Sequence, residues 1–316
     1  DEECKQLIEE LLQYALYAVN KHLDSIRHTL KNREAALQWP CADGAVELDL
    51  LWPGAGYNSV ACGGSFEVLS LLEKEGLVKI FDIMGASGGA ASSILALADK
   101  DRSSRTLLKN YVVYAKWAEE TRAANLRQVF KATSLWTAIY RKVIQDNDAF
   151  QRVSEHGYVA VAGGRSIFQW QNWILHNFQD REQLVQAYEA SGEASLSGAL
   201  LGNTIHGLKE RIGSFSDGGG ILPFPSRKRM LVYHHTFYGY GTSCTLESIR
   251  ELFEKSVDET ILMLCESWDL AHKKNAKYGG LVMTTGPELT WTGISNLRTN
   301  ARFLNVLDDE EETELP

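Results

Sequence analysis

The pentapeptide Gly85-Ala86-Ser87-Gly88-Gly89 is where this chain has the means for nucleophilic chemistry. It lies between an apolar, β-rich run, Val78 to Met84, and a stretch rich in Ala and Leu, Ala90 to Asp99, so the pattern predicts strand, turn and helix. A G-x-S-x-G in that setting can lift a serine hydroxyl above the strand ends on a sharp turn. Such a turn needs small neighbours, here Gly85, Ala86, Gly88 and Gly89, because larger side chains block the required backbone angles. The helix that follows turns the positive end of its dipole to the site and favours developing negative charge. The chemistry on offer is acyl transfer through Ser87.

A serine hydroxyl is barely nucleophilic at neutral pH unless a base assists it. Two kinds of base are available. Asp217 stands in Ser216-Asp217-Gly218-Gly219-Gly220, whose glycines allow a tight turn with the carboxylate turned to a cleft. His234 and His235 come later, in the order Ser, Asp, His of one class of hydrolase. They fall at the end of a predicted strand, Met230 to His234, where successive side chains face opposite ways. The residues alone leave both choices open. His22, His28, His156, His176, His206 and His272 are scattered without metal-ligand spacing, and calcium and zinc signatures are missing. Gly163-Gly164-Arg165 and Gly279-Gly280 are not followed by the G-K-[ST] of a phosphate loop. No metal and no cofactor are therefore expected. Trp136, Phe168, Trp170, Trp173 and Phe178 could line an acyl pocket and are read instead as core.

The elements that must hold these residues follow from the same patterning. Leu7, Ile8, Leu11, Leu12, Ala15, Leu16, Val19, Leu23, Ile26 and Leu30 recur at helical spacing and predict one long amphipathic helix over residues 1–40, packed on the core. After the loop Trp52-Pro53-Gly54-Ala55-Gly56, Tyr57 to Cys62 reads as a short strand, Gly63-Gly64 as a turn and Ser65 to Glu75 as a helix. With the strand and helix around Ser87 this is a βαβα order, which implies a parallel sheet covered on both faces. Residues 103–150 read as helical, Tyr158 to Ala162 as a strand, and Thr245 to Lys274 as a helix with a capping-box signal at Ser256 and Glu259. We read residues 1–316 as one α/β domain: an N-terminal helix (1–40), a core (about 55–235), and a C-terminal helical region with an acidic tail (245–316).

Composition narrows the partners. Hydrophobic and charged fractions of 44% and 23% are those of an ordinary globular protein. A net charge of −9 argues against nucleic acid, which needs clustered cations. The cluster Arg227-Lys228-Arg229 reads as an exposed turn, and Asp308 to Glu312 as a solvated tail. No apolar run reaches the length of a transmembrane helix. Five widely spaced cysteines without a CxxC pair suit neither a zinc site nor a redox motif, and one disulfide is compatible with them. Compartment and oligomeric state stay open.

Taken together, Ala61-Cys62-Gly63-Gly64, a helix, Ile83-Met84-Gly85-Ala86-Ser87-Gly88-Gly89-Ala90 and a late Asp217-Gly218-Gly219 resemble the patatin-like phospholipase pattern. That family combines a glycine-rich oxyanion turn after its first core strand, a G-x-S-x-G elbow on the next, and a D-G-G supplying the base. The small-residue stretch from Ala190-Ser191 to Gly202 and the run Ile221 to Pro225 agree with it, and the likeness spans roughly residues 55–235. The resemblance implies a three-layer αβα fold with a mainly parallel central sheet. It also implies a Ser87–Asp217 dyad working without histidine, and backbone N–H groups around Gly63 and Gly64 holding the oxyanion. The implied activity is lipid acyl hydrolysis of phospholipase A or lysophospholipase type, at a membrane or micelle surface. One departure is visible: Cys62-Gly63-Gly64-Ser65-Phe66-Glu67 lacks one glycine and the basic residue that many members carry. It motivates a non-catalytic storage or lipid-binding protein as an alternative, beside a Ser-His-Asp esterase or thioesterase.

Overall fold

Val78–Ala86 is buried at alternate positions at first and then continuously through its last five residues, the signature of a strand that enters the middle of a sheet. The computed structural model describes residues 2–37, 44–54, 56–121, 127–164, 171–192, 204–208, 213–217, 230–235, 244–265, 280–284, 301–306 and 311–312. Among these, the strands are β1 (Val46–Trp52), β2 (Val78–Ala86), β3 (Gly157–Gly164), β4 (Gln171–His176), β5 (Ser214–Asp217), β6 (Met230–His235), β7 (Gly280–Thr284), β8 (Ala301–Asn305) and β9 (Glu311–Glu312). They form one sheet in the order β7-β6-β1-β2-β3-β4-β8-β9, with β5 paired to β3. The centre, β6-β1-β2-β3, is wholly parallel, and antiparallel pairs appear only toward the margins and at β5.

The helices are α1 (Glu2–Leu37), α2 (Ala61–Lys74), α3 (Gly88–Ala98), α4 (Arg105–Thr121), α5 (Arg127–Val143), α6 (Asn147–His156), α7 (Arg181–Gly192) and α8 (Leu246–Cys265). They cover the sheet as a three-layer α/β fold. One group comprises α1, α2 and α8; another gathers α5, α6 and α7 around α3. Helix α3 is buried along nearly its whole length, which its small residues Ala90, Ala91, Ser92, Ser93 and Ala96 permit. Helix α1 uses the expected apolar face, with Leu11, Ala15, Val19 and Ile26 buried, while Leu16 remains partly exposed. Its polar edge is fastened by Tyr14, which donates to Asp258 at 2.8 Å, and by the pairs Glu9–Arg105 and Glu10–Arg250.

Three expectations are corrected. The first core strand is β1, not Tyr57 to Cys62; residues Gly56–Val60 form a 3-10 turn that runs directly into α2. The strand escaped notice because Glu47 and Asp49 interrupt its apolar run, yet Asp49 is buried and accepts the Asp82 backbone N–H at 3.3 Å. Gly63 and Gly64 consequently lie inside α2, not in a turn. A Cβ on Gly64 would stand 2.4 Å from the Phe253 carbonyl oxygen, and one on Gly63 2.8 Å from Leu107, so both let helices approach closely. Finally, Ser256 and Glu259 sit within α8 rather than at its start. The cap there is reciprocal between Thr245 and Ser248, each side-chain oxygen accepting the other's backbone N–H, at 2.8 and 3.1 Å.

Candidate active site

The residue after β2 carries the strain the sequence leads one to expect. Ser87 has φ 54° and ψ −126°, a region that side-chain-bearing residues avoid at a cost of about 1–3 kcal/mol. It is the N-cap of α3, with its carbonyl accepting from Ala90 and Ala91 N–H at 3.0 and 3.2 Å. A serine there usually turns its hydroxyl onto the helix N–H groups, for about 1 kcal/mol. Here it makes no such bond. Its Oγ donates instead to Asp217 Oδ2 at 2.9 Å.

The flanking glycines are required by backbone, not by side chains. A Cβ on Gly85 would lie 2.5 Å from the Ala90 backbone, on Gly88 2.2 Å from the Gly56 carbonyl oxygen, and on Gly89 2.0 Å from that of Trp52. The loop that leaves β1 is therefore pressed against the start of α3. Pro53 and Gly56, which follow the first core strand, lie beside the elbow, whereas Gly63 and Gly64 are spent on helix packing.

The sheet register explains how Asp217, 130 residues away in sequence, reaches Ser87. Strand β2 runs along one edge of β3 and ends with Ala86 opposite Ala160. Strand β5 takes over the same edge in the opposite sense, from Ser214 opposite Gly164 to Asp217 opposite Val161, while β4 occupies the other edge. The two strands therefore end head to head, and the next residue of one meets the last residue of the other. Geometry of this kind allows a carboxylate to take a hydroxyl proton directly.

Around this pair the structure adds residues the sequence did not single out for chemistry. The Ser87 backbone N–H donates to Ser191 Oγ at 2.9 Å, and the Ser191 hydroxyl donates to the Ala160 carbonyl at 2.6 Å. Ser191 lies in the small-residue stretch, but nothing local in the sequence points to a partner 104 residues away. Tyr57, next to Gly56 and 40% exposed, stacks on Tyr114 with ring centroids 4.6 Å apart, and Tyr114 stacks on Trp136 at 5.4 Å. Burial and the Tyr57 hydroxyl raise the Tyr114 pKa far above its ordinary value, so it stays neutral. Trp173 is core, donating from Nε1 to Gly163 O at 3.2 Å, and Phe178 is buried.

His234 and His235 belong to β6, which pairs with β1 on the side away from β2. His156 faces Asp82 at 3.2 Å, and the buried His176 stacks on Tyr158 with centroids 4.5 Å apart. Among the described residues no cluster of three or more His, Cys, Asp or Glu could hold a metal ion. Cys4, Cys62 and Cys244 are free thiols, and burial pushes the Cys244 pKa up to about 12. Gly218 to Gly220, Ile221 to Pro225, Arg227 to Arg229, Phe168 and Trp170 lie outside the described residues.

No protein-family model and no curated protein matches the chain. It has a distant likeness, at 12% identity and a TM-score of 0.32, to a chain of the heterodimeric ExoU–SpcU complex from the type III secretion system of Pseudomonas aeruginosa. The likeness covers 80% of this chain and 59% of that one, so the chain spans less than two thirds of its neighbour's length.

Proposed function

We propose that the protein is a lipid acyl-ester hydrolase in which Ser87 is the nucleophile and Asp217 its base. The observation that carries this reading is the 2.9 Å hydrogen bond from Ser87 Oγ to Asp217 Oδ2, made by a strained N-cap serine that forgoes its own helix. Asp217 takes the Ser87 proton as Oγ bonds to the ester carbonyl carbon. The tetrahedral intermediate collapses, its C–O bond to the alcohol breaks, and the alcohol leaves with the proton held by Asp217. Water then attacks the acyl-enzyme, gives a proton to Asp217, and the fatty acid departs as Ser87 regains a hydrogen.

The oxyanion needs backbone donors beside the elbow, each worth roughly 3 kcal/mol in comparable sites. In our reading these come from Gly54 and Gly56 and from Gly88 at the start of α3, not from Gly63 and Gly64. The donor turn thus remains the one after the first core strand, now identified as β1. The lipid class rests on the resemblance of these motifs to patatin-like phospholipases, and the stacked Tyr57, Tyr114 and Trp136 offer an apolar wall next to the loop. Among the described residues no helix is long and apolar enough to cross a membrane. The same resemblance implies a substrate met at a membrane or micelle surface.

The test is release of fatty acid from phospholipid vesicles and from a short-chain p-nitrophenyl ester. The wild type is expected to hydrolyse at least the short ester, and Ser87→Ala and Asp217→Asn to be lower by about 10⁴-fold or more. A wild type silent on both substrates would overturn the reading.

A further inference from the structure

Something must hold Ser87 in a conformation that serine avoids, since its own side chain is given to Asp217 rather than to the helix. Among the described residues, the polar group bound to its backbone N–H is the Ser191 hydroxyl, at 2.9 Å. Ser191 is fully buried at the C-terminal end of α7 and hands its own proton to the Ala160 carbonyl at 2.6 Å. A hydroxyl has a single proton to give, so the chain has one direction: Ser87 N–H to Ser191 O–H to Ala160 C=O. Both ends matter. Ala160 is paired with Ala86, the residue before the nucleophile, and precedes Val161, which is paired with Asp217. Ser191 thus fastens the nucleophile's backbone to the point on β3 where the two head-to-head strands meet.

Resting on the reading of Ser87 and Asp217 as a dyad, we infer that Ser191 is a positioning residue that sets the approach of the Ser87 hydroxyl to Asp217 and, by occupying the Ser87 N–H, leaves the oxyanion to other backbone donors. Removing the hydroxyl leaves one buried N–H and one carbonyl without this partner. The elbow then relaxes toward ordinary backbone angles and the hydroxyl moves off its line. Misplacement of about 1 Å costs a rate on the order of 10²-fold.

The experiment measures the rate of covalent labelling of Ser87 by a fluorophosphonate, located by peptide mass spectrometry, together with kcat, KM and the unfolding midpoint. Wild type, Ser191→Ala and Ser191→Thr are compared per folded molecule. The inference predicts that Ser191→Ala labels roughly 10- to 100-fold more slowly, with kcat reduced and KM held. Ser191→Thr, which keeps the hydroxyl, recovers most of the rate even where its unfolding midpoint is as low as that of the alanine variant. Labelling of Ser191→Ala at the wild-type rate overturns the positioning role while leaving the dyad standing, as does a threonine variant no faster than alanine. A wild type that takes no label at Ser87 overturns the dyad itself, and the positioning role with it.

Discussion

Two adjacent-glycine pairs, Gly63-Gly64 and Gly88-Gly89, look alike in the sequence and serve opposite ends in the structure. In each pair one glycine has backbone where a Cβ would be: a Cβ on Gly64 would stand 2.4 Å from Phe253 O, and one on Gly89 2.0 Å from Trp52 O. At Gly64 the approaching backbone belongs to a neighbouring helix, and the result is a tight α2–α8 contact. At Gly89 it belongs to the loop leaving β1, and the result is a crowded junction around the strained Ser87. A glycine pair reports close approach. What approaches decides whether it is scaffold or site.

Substitution at the dyad carries the largest expected effect and acts on one side of this comparison only. Loss of the Asp217 carboxylate removes the acceptor of the Ser87 proton without touching helix packing at Gly64, so activity falls by about 10⁴-fold while the unfolding midpoint changes little. Next come the glycines themselves. Gly89→Ala and Gly64→Ala each force a Cβ onto a carbonyl oxygen and are expected to destabilise by about 1–3 kcal/mol. They are told apart by labelling of Ser87 per folded molecule, which drops for Gly89→Ala and holds at the wild-type rate for Gly64→Ala. Loss of labelling in Gly64→Ala at unchanged stability would restore Gly64 to the site.

The smallest effect concerns Glu67, one turn beyond Gly64 in α2. Its carboxylate accepts the Ser104 N–H at 2.6 Å and the Ser103 hydroxyl at 3.1 Å, capping α4. Burial raises its pKa above the ordinary 4.5 despite these bonds. With the folded value raised, the protonated form adds stability that is fully present below 4.5 and lost as pH climbs through the folded value. Glu67→Gln keeps an acceptor and carries no charge. Its unfolding midpoint should match the wild type below pH 4.5 and rise relative to it as the pH is brought to neutral. A variant that loses ground toward neutral pH would contradict the sign.

How much of this was legible follows from the range of the forces involved. Ser87 was readable because the elbow is local: an apolar strand, a small-residue turn and a helix succeed one another within twenty residues or so. Helix α1 was readable for the same reason. The turn after the first core strand was misplaced because β1 carries two acids, and only the fold reveals that Asp49 is buried against the Asp82 backbone. With β1 unseen, the next glycines, Gly63 and Gly64, took the place of the Pro53 to Gly56 loop. Asp217 was one of two bases the sequence allowed; its choice rested on motif resemblance, and its contact with Ser87 arises from strand register. Ser191 was seen only as part of a small-residue stretch, since its bonds to Ser87 and Ala160 span 104 and 31 residues.

The central claim is that Ser87 is activated by Asp217. Its most direct test is fluorophosphonate labelling of the wild type, Ser87→Ala and Asp217→Asn at equal folded concentration, with the adduct mapped by mass spectrometry. The account predicts an adduct on Ser87 in the wild type, none at that position in Ser87→Ala, and labelling slowed by several orders of magnitude in Asp217→Asn. An Asp217→Asn protein that labels as fast as the wild type would contradict it and bring His234 and His235 forward as the base.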